Sequence, residues 1–142
     1  MNKIALLLPC LFLMGCEGTH DLARKHCMPL SVPAEVVLLR ESGLYSFRDK
    51  KDVVLLAHPR DTRNDGFSGI QQNGVLPAGT RLVVDDLYQE WGFDTGNASI
   101  YAAGKTRAGA GFRYSWGFGD KIGRAPWEGE DVTPLRKIDC DV

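Results

Sequence analysis

Gly111-Phe112-Arg113-Tyr114-Ser115-Trp116-Gly117-Phe118 decides the reading of this chain. Aromatic residues recur at every second position, with small or charged residues between them. Side chains alternate across a strand, so a regular strand here carries all four rings on one face. No helical arrangement with 3.6 residues per turn gathers them that way. Two roles follow from that face: the central strand of a hydrophobic core, or a stacking platform for the sugars of a cell wall, with Tyr114 and Trp116 as contacts. The core is favoured, because Phe and Trp on strands are most often buried. The small residues opposite leave room for the close approach of a ligand or a second chain.

Outward from that stretch the signals remain those of strands. Glu35 to Arg40, Gly43 to Phe47 and Asp52 to His58 are short apolar or alternating runs rich in β-branched and aromatic residues, and read as hairpins. Leu76-Pro77-Ala78-Gly79 reads as a turn feeding a strand over Thr80 to Tyr88, a pattern also found in small SH3-like barrels. Asp94 to Asn97 marks a further turn, and Ala98 to Ala103 a further strand. The polar stretch from Pro59 to Val75, with Asn73-Gly74 near its end, reads as a long loop. The chain has 16 glycines, most after Ser42, which fits turns and bulges better than long helices. The expectation is an all-β domain, a small barrel or sandwich of about six to eight strands.

The N-terminus carries an address. Lys3 precedes an apolar run from Ile4 to Met14, too short to span a bilayer as a mature helix and of the length of a secretory signal core. It ends Leu13-Met14-Gly15-Cys16, which resembles the lipobox of bacterial lipoproteins. The resemblance implies cleavage before Cys16, a diacylglyceryl group on its thiol with further acylation (palmitate), and attachment to the cell envelope. The alternative is an ordinary secreted protein with a cysteine near its cleavage site. In the sorting pattern of that family an aspartate after the anchor goes with inner-membrane retention; with Glu17 there instead, the resemblance implies the outer membrane, facing the periplasm. Residues 1–15 are thus read as signal peptide, 16–32 as a lipidated tether of mixed polar composition, and 33–142 as the β domain.

Of the 4 cysteines, Cys10 leaves with the signal and Cys16 is acylated. Cys27 and Cys140 remain in an oxidising compartment and are expected to form a disulfide. A reactive thiol, or a metal site with His20 and His26, is the alternative, although the spacing matches no metal motif. The formal net charge of −1 offers no basic stripe for nucleic acid. No cofactor is implied.

Several constellations bear on chemistry. Phe93-Asp94-Thr95-Gly96 resembles the catalytic turn of aspartic proteases, and Lys121 to Arg124 resembles the apolar-Gly segment that supports it in single-lobed members. The interval between them is too short for the flap hairpin of that family, so a plain turn is the better reading. Asp85, Asp86, Glu90 and Asp94 form an acidic cluster without the spacing of a calcium loop. Gly109 to Gly111 and Gly117 to Gly119 lack the following helix that a phosphate cradle requires. His58, beside Arg60 and Asp61, is the one histidine beyond the tether and the one candidate general base.

Without a catalytic set, binding is the expected activity. Ser42-Gly43-Leu44-Tyr45 and Gly111 to Trp116 resemble, loosely, the Ser-Gly-x-x-Tyr loop and the aromatic strand of membrane-bound lysozyme inhibitors, the first motif being one residue shorter. The resemblance implies a protein partner in the envelope, a cell-wall hydrolase or toxin, met by an exposed loop. Ser42, Gly43, Tyr45, Arg60, Arg63, Tyr114 and Trp116 are the candidate binding residues. An accessory lipoprotein of an envelope complex is the alternative, and a hydrolase using Asp94 or His58 ranks last.

Overall fold

The computed structural model describes residues 16–49, 54–57, 69–129 and 134–141. These residues form β1 (Glu17–Asp21), β2 (Ala34–Val37), β3 (Ser42–Phe47), β4 (Val54–Ala57), β5 (Ile70–Leu76), β6 (Arg81–Gly92), β7 (Gly96–Thr106), β8 (Gly111–Phe118), β9 (Lys121–Ile122) and β10 (Arg136–Lys137), and no helix. The strands hydrogen-bond along the path β1-β6-β7-β8-β4-β3-β5, with β2 added to β6, β9 to β8 and β10 to β9. The path does not close on itself, so the all-β domain has the character of a small sandwich rather than a barrel. All pairings are antiparallel except that of β4 with β8, where Leu55 lies opposite Arg113.

The aromatic strand β8 sits in the middle of the path, and Phe112, Tyr114 and Trp116 point into the core beside Leu82, Val84, Leu87, Ile100 and Ala102. Trp127 meets Tyr114 and Trp116 edge-on at ring separations of 5.4 and 5.3 Å, the geometry that ring quadrupoles favour. The Trp116 Nε1–H donates to the Gly123 carbonyl at 3.1 Å, so the buried indole is satisfied. Phe118 breaks the expected alternation and is 63% exposed. The register slips here: Ser115 faces Tyr101 while Gly117 faces Ile100. One extra residue in a strand inverts its faces beyond that point, and Phe118 is thereby turned outward. Gly117 admits a close approach, but from the chain's own β9: a Cβ there would lie 2.1 Å from the Lys121 carbonyl oxygen.

Two segments differ from their sequence reading. Residues 17–32 are not a tether. β1 pairs along its whole length with the end of β6, from Glu17 opposite Gly92 to Asp21 opposite Tyr88, and Leu22 and Met28 are buried in the core. The amides of Leu22 and Ala23 both donate to the Leu87 carbonyl at 2.9 and 3.2 Å. The alternation is present, with Glu17, Thr19 and Asp21 exposed. It was illegible because the inward positions are Gly18 and His20 rather than apolar residues. Part of the long loop is also a strand, since β5 pairs with β3. Asn73-Gly74 makes no turn: Leu44 faces Gly74 and Tyr45 faces Gln72, so Asn73 is the extra residue of a bulge. Its amide donates to Ser46 Oγ at 2.9 Å.

The expected disulfide is present, joining Cys27 to Cys140 with a Cα–Cα distance of 5.2 Å across 113 positions. It fastens the turn after β1 to the C-terminal segment. That segment is also held by a two-pronged contact in which Arg136 donates to both Glu128 oxygens, at 3.0 and 2.7 Å, and to the Gly123 carbonyl at 2.8 Å. Both side chains are partly solvated, so the pair contributes only about 1 kcal/mol. It orders the segment that carries Trp127 over the rings of β8.

Candidate functional site

The outer face of β1, β6, β7 and β8 gathers the polar aromatic residues that the core does not use. In β6 the alternation buries Leu82, Val84, Leu87 and Gln89 and leaves Tyr88 and Glu90 facing outward, partly exposed. Tyr88 lies opposite Tyr101 of β7, with ring centroids 5.4 Å apart and planes 29° from parallel. The Arg113 guanidinium of β8 lies over the Tyr101 ring, 4.6 Å from its centre. It also faces Glu90 at 3.8 Å. The result is a three-strand stack, Arg113 to Tyr101 to Tyr88, lying across the sheet.

An acidic flank adjoins the stack. Thr19 stands opposite Glu90 and Asp21 opposite Tyr88. Together with Asp86 and Tyr88 they line a shallow depression. Asp86 is brought there by a bulge: Val84 faces Gly104 but Asp86 faces Ala103, leaving Asp85 as the extra residue. Close passage of β6 over β7 at this point depends on Gly104, where a Cβ would lie 1.9 Å from the Val83 carbonyl oxygen.

Energetics argue that the stack is not there for stability. A cation over an exposed ring is worth about 0.5–1 kcal/mol, and a half-exposed ion pair at 3.8 Å contributes little more. What the arrangement does is hold a guanidinium, two phenols and three carboxylates in fixed positions on a rigid sheet. The Tyr101 ring is covered by Arg113 and by Tyr88, so sugar stacking on it is disfavoured. The phenol hydroxyls, the ring edges and Asp86 remain for hydrogen bonds and charge contacts, the vocabulary of a protein interface, while Glu90 is already shared with Arg113 and Asp21 with Arg24 at 3.2 Å.

The residues singled out in the sequence are placed elsewhere. Ser42, Gly43 and Tyr45 do not protrude as a loop: they lie in β3, Ser42 paired with β5 and Gly43 and Tyr45 paired with both β4 and β5, with Ser42 1% and Tyr45 0% exposed. Tyr114 and Trp116 face the core, at 8% and 2% exposure, and are not a platform. His58, Arg60 and Arg63 lie outside the described residues. Asp94 is exposed on the turn between β6 and β7, where Gly96 takes a φ of 61°. Asp94→Asn is therefore expected to change the unfolding free energy by less than about 0.5 kcal/mol in a urea titration. Of the acidic cluster, Asp86 and Glu90 join the site, while Asp94 is at the far tip of the hairpin. His20 stacks on Trp91 with ring centres 5.9 Å apart, and Cys27 is committed to its disulfide. Cys16 is exposed immediately before β1, and its carbonyl accepts a hydrogen bond from the Phe93 amide at 3.1 Å.

Tyr88, Tyr101 and Arg113 escaped the sequence reading. Each lay in a strand whose other face carried the stronger apolar signal. Counting back from the hairpin turn, where Gly92 faces Gly96, a regular ladder places Tyr88 opposite Ile100. The slip between Gln89 and Trp91 moves it opposite Tyr101 instead. Comparison with protein-family models, with curated proteins and with solved structures returns no match.

Proposed function

We propose that this chain is an envelope-anchored binding protein, tethered through an acylated Cys16, whose outer β1-β6-β7-β8 face grips a protein partner. The observation that carries the reading is the Arg113–Tyr101–Tyr88 stack with carboxylates along one side. Tyr and Arg are the residue types that supply most binding energy at protein interfaces, and they do so best when held rigidly before the partner arrives. The carboxylates of Asp21, Asp86 and Glu90 favour a partner with a basic surface. Enzymes that act on the anionic polymers of a cell wall, and toxins aimed at it, present such surfaces, and an inhibitor or immunity role toward one of them is the specific form proposed.

The test uses the chain with Cys16→Ser as soluble bait for envelope extract and culture medium, read by mass spectrometry. The combined change Tyr88→Ser and Tyr101→Ser is expected to weaken capture of the principal protein at least about tenfold, the loss of one hot-spot contact, with circular dichroism unchanged. Glu90→Arg, on the acidic flank, is expected to weaken it as well. Capture that survives both variants at full strength contradicts the assignment of this face.

A further inference from the structure

The end of the sheet that carries Cys16 also carries two of the most exposed large apolar side chains among the described residues. Phe93 is 85% exposed and Phe118 is 63% exposed. Phe93 opens the turn between β6 and β7, and its amide is hydrogen-bonded to Cys16 itself. Phe118 closes β8 opposite Ser99, and the next residue, Gly119, donates to the Ala98 carbonyl at 3.0 Å, so the turn after β8 reaches the same end of the sheet. The bulge at Trp116 is what frees Phe118 from the core to stand there. Because β1 begins at Glu17, opposite Gly92, no slack separates Cys16 from the folded domain.

We infer that this end is a membrane-docking edge, in which Phe93 and Phe118 enter the interfacial layer of the bilayer beside the acyl chains of Cys16. The inference rests on the lipid-anchor reading above. An anchor on Cys16, whose carbonyl accepts from the Phe93 amide, brings the exposed Phe93 ring to the headgroup and upper acyl region, where an apolar ring is favoured. Exposed Glu17 and Asp94 share this end, which points to zwitterionic lipid rather than an anionic surface. Docking by two rings and a short anchor fixes the tilt of the domain and turns the β7–β8 turn, at the opposite end of the sheet, toward the aqueous side.

The test reconstitutes the full, processed chain in phosphatidylcholine vesicles whose acyl chains carry bromine near the headgroup, a contact quencher of indole fluorescence. Phe93→Trp and Phe118→Trp are conservative at exposed sites, and Ala108→Trp in the β7–β8 turn is the control. The fluorescence added by each of the first two is expected to be largely lost and blue-shifted, and that added by Ala108→Trp to be unchanged. Mass measurement of the same preparation reports whether Cys16 is acylated. An acylated chain whose Phe93→Trp and Phe118→Trp signals stay unquenched overturns the docking edge and leaves the anchor standing. An unmodified Cys16 overturns the anchor and the docking edge together.

Discussion

Replacing Cys27 with serine is expected to lower the unfolding free energy by about 4–5 kcal/mol. The bridge to Cys140 closes a loop of 113 positions, nearly the whole described domain, and in the chain-entropy model the loss of so long a constraint from the unfolded ensemble has that size. Set against the 5–15 kcal/mol that ordinary domains possess, it is a large share. The location adds to the effect, because the bridge holds the turn after β1 against the segment that carries β10, and each is otherwise fastened mainly by short pairings. Urea titrations of the oxidised chain, the reduced chain and the Cys27→Ser chain should place the last two together at a much lower midpoint. Cys140→Ser should match them, and the double change should add nothing further. An unchanged midpoint on reduction would contradict the account.

Tyr45→Ala is expected to cost about 3–5 kcal/mol, the range for removing a fully buried aromatic side chain. Tyr45 is 0% exposed, and its ring covers Gly43, where a Cβ would lie 2.5 Å from it. The strand that carries it is bonded on one side to β4 and on the other to β5, so collapse into the vacated volume is restricted. This outcome separates the structure from the motif: a residue of an exposed recognition loop would lose binding and keep its stability. The expected result is the reverse, a chain that melts earlier and, below its melting temperature, binds as before. Thermal unfolding followed by near-ultraviolet circular dichroism, alongside capture of the partner at low temperature, reads both.

The period-two patterns of β6 and β8 were legible because apolar and polar residues there largely occupy opposite faces, and β2, β3 and β4 were legible as short runs rich in apolar, β-branched or aromatic residues. The Cys27–Cys140 bridge was legible from elimination among a few cysteines. What escaped depends on single-residue slips. A bulge changes no composition, yet it flips every side chain beyond it. Phe118 was therefore assigned to the core face, and the Tyr88–Tyr101 pair could not be counted from its hairpin. β1 escaped because Gly18 and His20 fill its inward positions, and β5 because its polar residues and Asn73-Gly74 read as part of a long loop when Asn73 is the site of a bulge. The motif-like segments misled for a related reason. Ser42 to Tyr45 carries the residues of a loop, but pairing on both sides makes it an interior strand.

The proposed binding face is tested most directly inside the cell, with a photo-crosslinking amino acid placed at position 88 or 101 of the full chain. Illumination is expected to yield one discrete adduct with an envelope protein from either position, and none from position 108 at the far turn. No adduct from positions 88 and 101, or the same adducts from all three, would contradict the proposal that this protein binds its partner through the Arg113–Tyr101–Tyr88 face.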